Sequence, residues 1–195
     1  MRTLYLIRHG RTEANEKHLY CGSSDLPLSR LGREELEILR PAYTDMIAKK
    51  AVLFGSGMIR TDETLTILFG RNADTVLPGF REVDFGMFEG QSHDMLLSCR
   101  EYLDWLQGDN FANLCPGGES GKIMQNRVLD AFTEMLNEEW EEAVACTHGG
   151  PIGAVMEFLF PKVYSYWYSW QPDPGHGWRI RFSEKGVVQD YLAVP

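Results

Sequence analysis

The residues able to do chemistry gather at the ends of short apolar runs. Residues 3–7 lead directly into Arg8-His9-Gly10, residues 51–54 into Gly55-Ser56-Gly57 and then Arg60, and residues 143–147 into His148-Gly149-Gly150. A loop at 80–90, dense in acids, aromatics and glycine, adds Glu82. A guanidinium presents a planar fork suited to phosphate, and a neutral imidazole is a nucleophile or an acid and base. A carboxyl group moves a proton, and glycine lets backbone amides approach an anion. Phosphoryl transfer needs charge stabilisation, an in-line nucleophile and an acid for the leaving oxygen, and this set holds a candidate for each. Singly, each residue has an ordinary explanation: an arginine in a surface ion pair, a histidine satisfied by its neighbours, a glutamate no different from Asp84 or Glu89. The case rests on the ensemble.

The elements that must position these groups alternate. A strand at 3–7 precedes a short helix from Thr12 to about His18, whose start would face the ligand, as helix N-termini favour anions. Residues 19–29 are rich in turn formers and form a loop near the site, with Ser29 capping the next helix. That helix starts at Arg30, and Pro41 kinks or restarts it. Strands are expected at 51–54 and 75–77, and helices at 58–69, at 92–106 and along the stripe Met124, Val128, Ala131, Phe132, Met135 and Leu136. Residues 108–118 form an excursion. A buried strand at 143–147 feeds a helix at 152–160 with Pro151 in its first turn, and 178–182 with 187–194 make a hairpin. This is an α/β chain with a mixed, mostly parallel sheet and helices on both faces, a three-layer α/β/α sandwich in one domain spanning 1–195. Aromatic residues 164–170 read as packing.

A net charge of −9 and a pI near 5.0 argue against nucleic acid or an anionic membrane as partner, so a phosphate ligand needs a local cationic pocket. Cys21, Cys99, Cys115 and Cys146 are scattered, without Cys-x-x-Cys or zinc-finger spacing, which suggests free thiols in a reducing cytosol. No apolar run approaches membrane-spanning length and the first strand begins almost at once, so a cytoplasmic location is expected. No metal-ligand spacing is evident, and neither metal nor cofactor is expected.

Six ordered blocks carry a family resemblance. They are Arg8-His9-Gly10 with Asn15; Ser24-Asp25-Leu26-Pro27-Leu28-Ser29 ahead of Leu31-Gly32; Ser56, Arg60 and Thr64 at four-residue spacing; Glu82-Val83-Asp84-Phe85-Gly86 with Glu89-Gly90; Pro116-Gly117-Gly118-Glu119-Ser120; and His148-Gly149-Gly150. Over nearly its whole length the chain resembles the histidine phosphatase superfamily, in the branch that includes cofactor-dependent phosphoglycerate mutase and many small phosphatases. The resemblance implies that His9 attacks phosphorus and becomes phosphohistidine, that Arg8, Arg60 and His148 surround the phosphoryl oxygens, and that Glu82 donates the proton. It further implies a phosphate contact from Asn15, and Gly149 with Gly150, at a helix start, can offer backbone amides to the anion. Thr12, Tyr20, Cys21 and Gly22 are candidate substrate contacts, Thr12 being equally well explained as a helix cap. His18, His93 and His176 carry less weight. Phe85 and Phe88 are expected to desolvate Glu82.

The chain departs from the family pattern at Gly57-Met58, where Pro-Leu is common, and at Thr61, where Ala is common; Gly57 permits a looser turn and less rigid placement of Arg60. Ala14 stands where the mutases usually carry Trp, and the middle of the chain is compact. Both features favour a metal-independent phosphomonoester phosphatase acting on a small phosphorylated metabolite, with the mutase as alternative and a catalytically silent phospholigand-binding module as a third. Overall size and the 116–120 block resemble α-ribazole phosphatases, which makes α-ribazole 5′-phosphate one candidate substrate. Substrate choice should lie with a lid at about 92–118, including Trp105 and Phe111. A homodimer is left open.

Overall fold

The computed structural model describes residues 1–108 and 111–195, so two residues of the expected 108–118 excursion lie outside the described residues. Six strands form one sheet: β1 (Arg2–Arg8), β2 (Val52–Gly55), β3 (Thr75–Val76), β4 (Glu142–Thr147), β5 (Gly177–Phe182) and β6 (Val188–Val194), in the order β3-β2-β4-β1-β5-β6. The first four run parallel, and β5 and β6 add an antiparallel hairpin. Among the described residues seven α-helices accompany them: α1 (Glu13–Glu16), α2 (Arg30–Met46), α3 (Ile59–Phe69), α4 (His93–Leu96), α5 (Arg100–Trp105), α6 (Gly121–Asn137) and α7 (Gly149–Leu159).

Side-chain alternation along the strands sorts the core into two layers. Leu4, Leu6, Phe54, Ala143 and Ala145 pack with α6 and α7 on one face. Tyr5, Ile7, Leu53, Val144 and Cys146 pack with α2 and α3 on the other. The central strands are apolar on both sides because both faces are covered, the arrangement that buried parallel strands require.

Four elements differ from expectation. The first helix is a single turn ending before His18, which takes a left-handed φ of 52°. Helix α2 continues through Pro41 without interruption. Helix α7 begins at Gly149, three residues early, so that His148 is its N-cap residue. The helix expected over 92–106 is two short helices. At 100° per residue a continuous helix would turn Leu96 and Tyr102 about 120° apart. Both are instead buried together with Phe88 and Cys115 in a third, smaller cluster, and the break between α4 and α5 turns both inward.

Candidate active site

Strands β1 and β4 lie side by side, with Arg8 opposite Thr147. From β1 the chain crosses to α2 on one face of the sheet, and from β4 to α7 on the other. The crevice between two such strand ends is where open α/β sheets bind ligands. Arg8 and His9 close one side of it, Thr147 and His148 the other, and the His9 amide donates to the Thr147 carbonyl over 2.9 Å.

Both histidines are buried, His9 at 5% exposure and His148 at 0%, with ring centroids 5.0 Å apart. His9 Nδ1 lies 2.7 Å from the Gly10 carbonyl. A carbonyl only accepts, so Nδ1 carries the proton and Nε2 of the neutral ring bears the free lone pair. His148 has the opposite tautomer: Nδ1 accepts from Arg60 Nε at 3.1 Å, and Nε2 is 2.9 Å from Ser56 Oγ. Burial, then Arg60 and Arg8, push the pKa of His9 well below its ordinary value. Burial, then Arg60, His9, Arg8 and Arg127, do the same to His148. Both rings are neutral near pH 7.

Arg60 is 1% exposed, and its Nη1 and Nη2 donate to the Ser24 and Gly22 carbonyls at 2.7 and 2.8 Å. Its placement is therefore not loosened by Gly57, which adopts a φ of +73° closed to proline and unfavourable to other L-residues. Glu89 holds the 22–24 loop from the other side: its carboxylate accepts from the amides of Gly22, Ser23, Ser24 and Phe85 and from Ser24 Oγ. An added Cβ at Gly22 would lie 1.6 Å from the Val83 carbonyl oxygen, so this close approach requires glycine.

Glu82 accepts from its neighbour's amide, Val83 N, at 2.9 Å and from Gly150 N, in the first turn of α7, at 3.0 Å. Arg127, on α6, fixes the backbone under it by donating to the carbonyls of Gly79, Arg81 and Glu82, and Glu119 pairs with the same guanidinium. Arg8 donates through Nη1 to the Pro172 carbonyl at 2.9 Å, while its buried Nε has no partner among the described residues.

A cavity of about 470 Å³ opens over these groups. Of the residues singled out from sequence, Arg8, Asn15, Tyr20, Cys21 and Glu82 line it, whereas His9, Arg60, His148 and Gly149 are buried and do not. Thr12 also stays off the wall: its hydroxyl bonds Asn15 Oδ1 and accepts from Asn15 N, a cap of α1. That bond leaves the Nδ2 donors of Asn15 without a partner among the described residues. Gly22 acts through its carbonyl on Arg60 and is not on the wall. Phe85 lines the cavity, but Phe88 is buried in the lid cluster and does not reach Glu82's side of it.

Trp105 and Phe111, from the segment expected to form a lid, line the cavity, and a second wall comes from the aromatic run assigned to packing. Trp170 is core at 0% exposure, but Trp167, Tyr168 and Gln171 face the cavity. No group of three or more His, Cys, Asp or Glu able to hold a metal occurs among the described residues, and none of their helices is long and apolar enough to cross a membrane. The four cysteines are free thiols.

Fold and site together define an α/β protein whose sheet gathers two neutral histidines, two arginines and a glutamate at its switch point. Residues 4–193 match the histidine phosphatase superfamily (branch 1), and the chain belongs to that family. Among its relatives is a 2,3-bisphosphoglycerate-dependent phosphoglycerate mutase of Rhizobium meliloti, 32% identical over 166 residues that cover 80% of this chain and 79% of that one. A Hydrogenobacter thermophilus protein with a provisional phosphoserine phosphatase name is 27% identical over 163 residues, 82% and 79% of the two chains. The α-ribazole phosphatase of Shigella flexneri shares the fold, with a TM-score of 0.80 at 23% identity over 97% of this chain and 95% of that one. The family thus includes both phosphatases and mutases.

Proposed function

We propose that this chain is a metal-independent phosphomonoester phosphatase that works through a phosphohistidine on His9. The observation that carries the reading is the anchoring of His9 Nδ1 on the Gly10 carbonyl, which fixes the tautomer a nucleophile needs. His9 Nε2 attacks phosphorus; the new N–P bond forms as the ester P–O bond breaks, and Glu82 gives its proton to the leaving oxygen. Water then attacks the phosphohistidine, Glu82 takes the proton back, and inorganic phosphate departs with His9 restored. Arg8 and Arg60 stabilise charge on the equatorial oxygens, joined by Asn15 Nδ2 and the Gly149 amide at the start of the 11-residue helix α7. His148, both of whose ring nitrogens are bonded to Arg60 and Ser56, acts through Arg60.

The mutase reading has support in the names of relatives such as that of R. meliloti. Against it stands the cavity wall, whose only charged residues are Arg8 and Glu82 among those described. Phosphoglycerates carry a carboxylate as well as phosphate, and a buried second anion needs a second cation. A silent binding module would have no use for a His9 held in the nucleophilic tautomer.

The decisive experiment is phosphate release, with chelator present, from α-ribazole 5′-phosphate, phosphoglycerates, sugar phosphates and nucleotides. Wild-type protein should release phosphate and His9→Ala should lose at least about 10³-fold. Equal activity in the variant would sink the mechanism, a strict need for divalent metal its metal independence, and primer-dependent interconversion of phosphoglycerates the choice of phosphatase.

A further inference from the structure

The cavity is lined by six rings: Tyr20, Phe85, Trp105, Phe111, Trp167 and Tyr168. Two of them, from segments more than fifty residues apart in sequence, meet edge to face: Phe111 and Trp167, with centroids 5.5 Å apart and planes at 63°. Each sits on a glycine. An added Cβ at Gly121, the first residue of α6, would lie 2.6 Å from Phe111 Cδ2, and one at Gly153, inside α7, 2.6 Å from Trp167 Cε3. Neither glycine has the positive φ that would otherwise demand it, and glycine weakens a helix interior such as that at Gly153. Their places in the two helices are explained by the rings they admit. Beyond Arg8 and Glu82 no charged residue among those described reaches this wall, so nothing in it answers a second ionised group.

We propose that Phe111 and Trp167, seated on Gly121 and Gly153, form an aromatic jaw that selects phosphomonoesters whose alcohol carries a flat, uncharged ring system. This rests on the phosphatase reading for the position of the phosphate, held at Arg8, and adds the chemistry of the alcohol. Phe111 and Trp167 already touch, so an entering ring lies against the pair rather than between them, and stacking of this kind tolerates different heterocycles. A cavity of about 470 Å³ is of the size that holds a nucleoside monophosphate and is larger than a phosphorylated three-carbon acid requires.

The test compares ligands that differ in the ring alone. Adenosine 5′-monophosphate, uridine 5′-monophosphate, α-ribazole 5′-phosphate and ribose 5-phosphate are titrated calorimetrically into His9→Ala protein, which holds them unhydrolysed. At least one ring-bearing ester should bind ten times more tightly than ribose 5-phosphate. Trp167→Leu and Gly153→Ala, each added to His9→Ala, should remove that gap while leaving ribose 5-phosphate affinity within about twofold. Equal affinity for all four ligands overturns the jaw, as does a gap that survives both substitutions. Where Trp167→Leu weakens all four alike, Phe111→Leu decides, and an equal loss there also overturns it. Because no turnover is needed, absence of phosphate release by wild-type protein would remove the hydrolytic reading and leave ring selection standing, whereas ring-blind binding with intact hydrolysis would do the reverse.

Discussion

His9 and His148 share one buried pocket with two arginines, and neither ring can take up a proton there without desolvating a third or fourth positive charge. The consequence for stability has a definite sign. Below about pH 6.5, the ordinary histidine value, the unfolded chain protonates both imidazoles, while the folded chain leaves both neutral until a much lower pH. The unfolded state then binds more protons, so stability falls as the pH drops through that window and is level, as far as these two groups go, above it. Urea midpoints measured from pH 7.5 to 5.0 should start to decline near 6.5, and His148→Gln should flatten the decline by up to one proton, about 1.4 kcal/mol per pH unit. A slope unchanged by that substitution would mean His148 is not held neutral. If His9 is the nucleophile, phosphohistidine formation, followed by alkaline-quenched labelling that spares the acid-labile N–P bond, should persist well below pH 6.5.

At the scale of elements, two side chains outside the reacting set hold the segments that carry it. Glu89 gathers the amides of the 22–24 loop, whose carbonyls in turn fix Arg60. Glu89→Gln replaces one acceptor oxygen by a donor facing donors, and should cost about 2 kcal/mol in denaturant unfolding while raising KM through the displaced Arg60. Arg127 clamps the carbonyls of Gly79, Arg81 and Glu82 itself. Arg127→Met should lower kcat about 10- to 100-fold for alkyl phosphates, whose leaving oxygen needs a proton, and far less for p-nitrophenyl phosphate, whose leaving group does not. Equal losses on both would show that Arg127 serves stability alone. These roles were closed to sequence reading: Glu82, Asp84 and Glu89 are three acids in one loop, and only the fold shows that Glu89 turns toward backbone amides and Glu82 toward Gly150. The strand ends were open to it, since an apolar run stopping at Arg-His-Gly or His-Gly-Gly needs no tertiary information. The break between α4 and α5 was not, because Leu96 and Tyr102 share a cluster only once Phe88 and Cys115 are in place.

For the whole molecule, the apolar content divides unequally. Two large clusters clothe the sheet, while the segment expected to act as a lid stands on a third built around Phe88, Leu96, Tyr102 and Cys115. The sandwich was legible because alternation along β1 and β4 dictates two covered faces, and the switch point follows from which face each connection takes. The second cavity wall was not, because Trp167 and Tyr168 reach the site only through the path of the chain after α7. The small cluster is fastened by a chain of hydrogen bonds in which the buried Tyr102 hydroxyl lies 2.7 Å from both Tyr20 Oη and His93 Nδ1. The loop at Tyr20, whose ring faces the cavity, is thereby tied to both lid helices. Regions with few apolar contacts open at lower free energy than the sheet, and binding a ligand on the closed form alone protects them. Amides of α4 and α5 should therefore exchange with solvent faster than those of β1 and β4. Tyr102→Phe, which strips Tyr20 and His93 of a shared partner, should speed lid exchange about tenfold, equivalent to ~1.4 kcal/mol, and leave the sheet amides unchanged. Vanadate or a tight phosphomonoester should slow lid exchange in wild-type protein. If sheet and lid amides instead exchange at one common rate in every variant, the lid opens only by global unfolding, and ligand entry must use the existing cavity mouth.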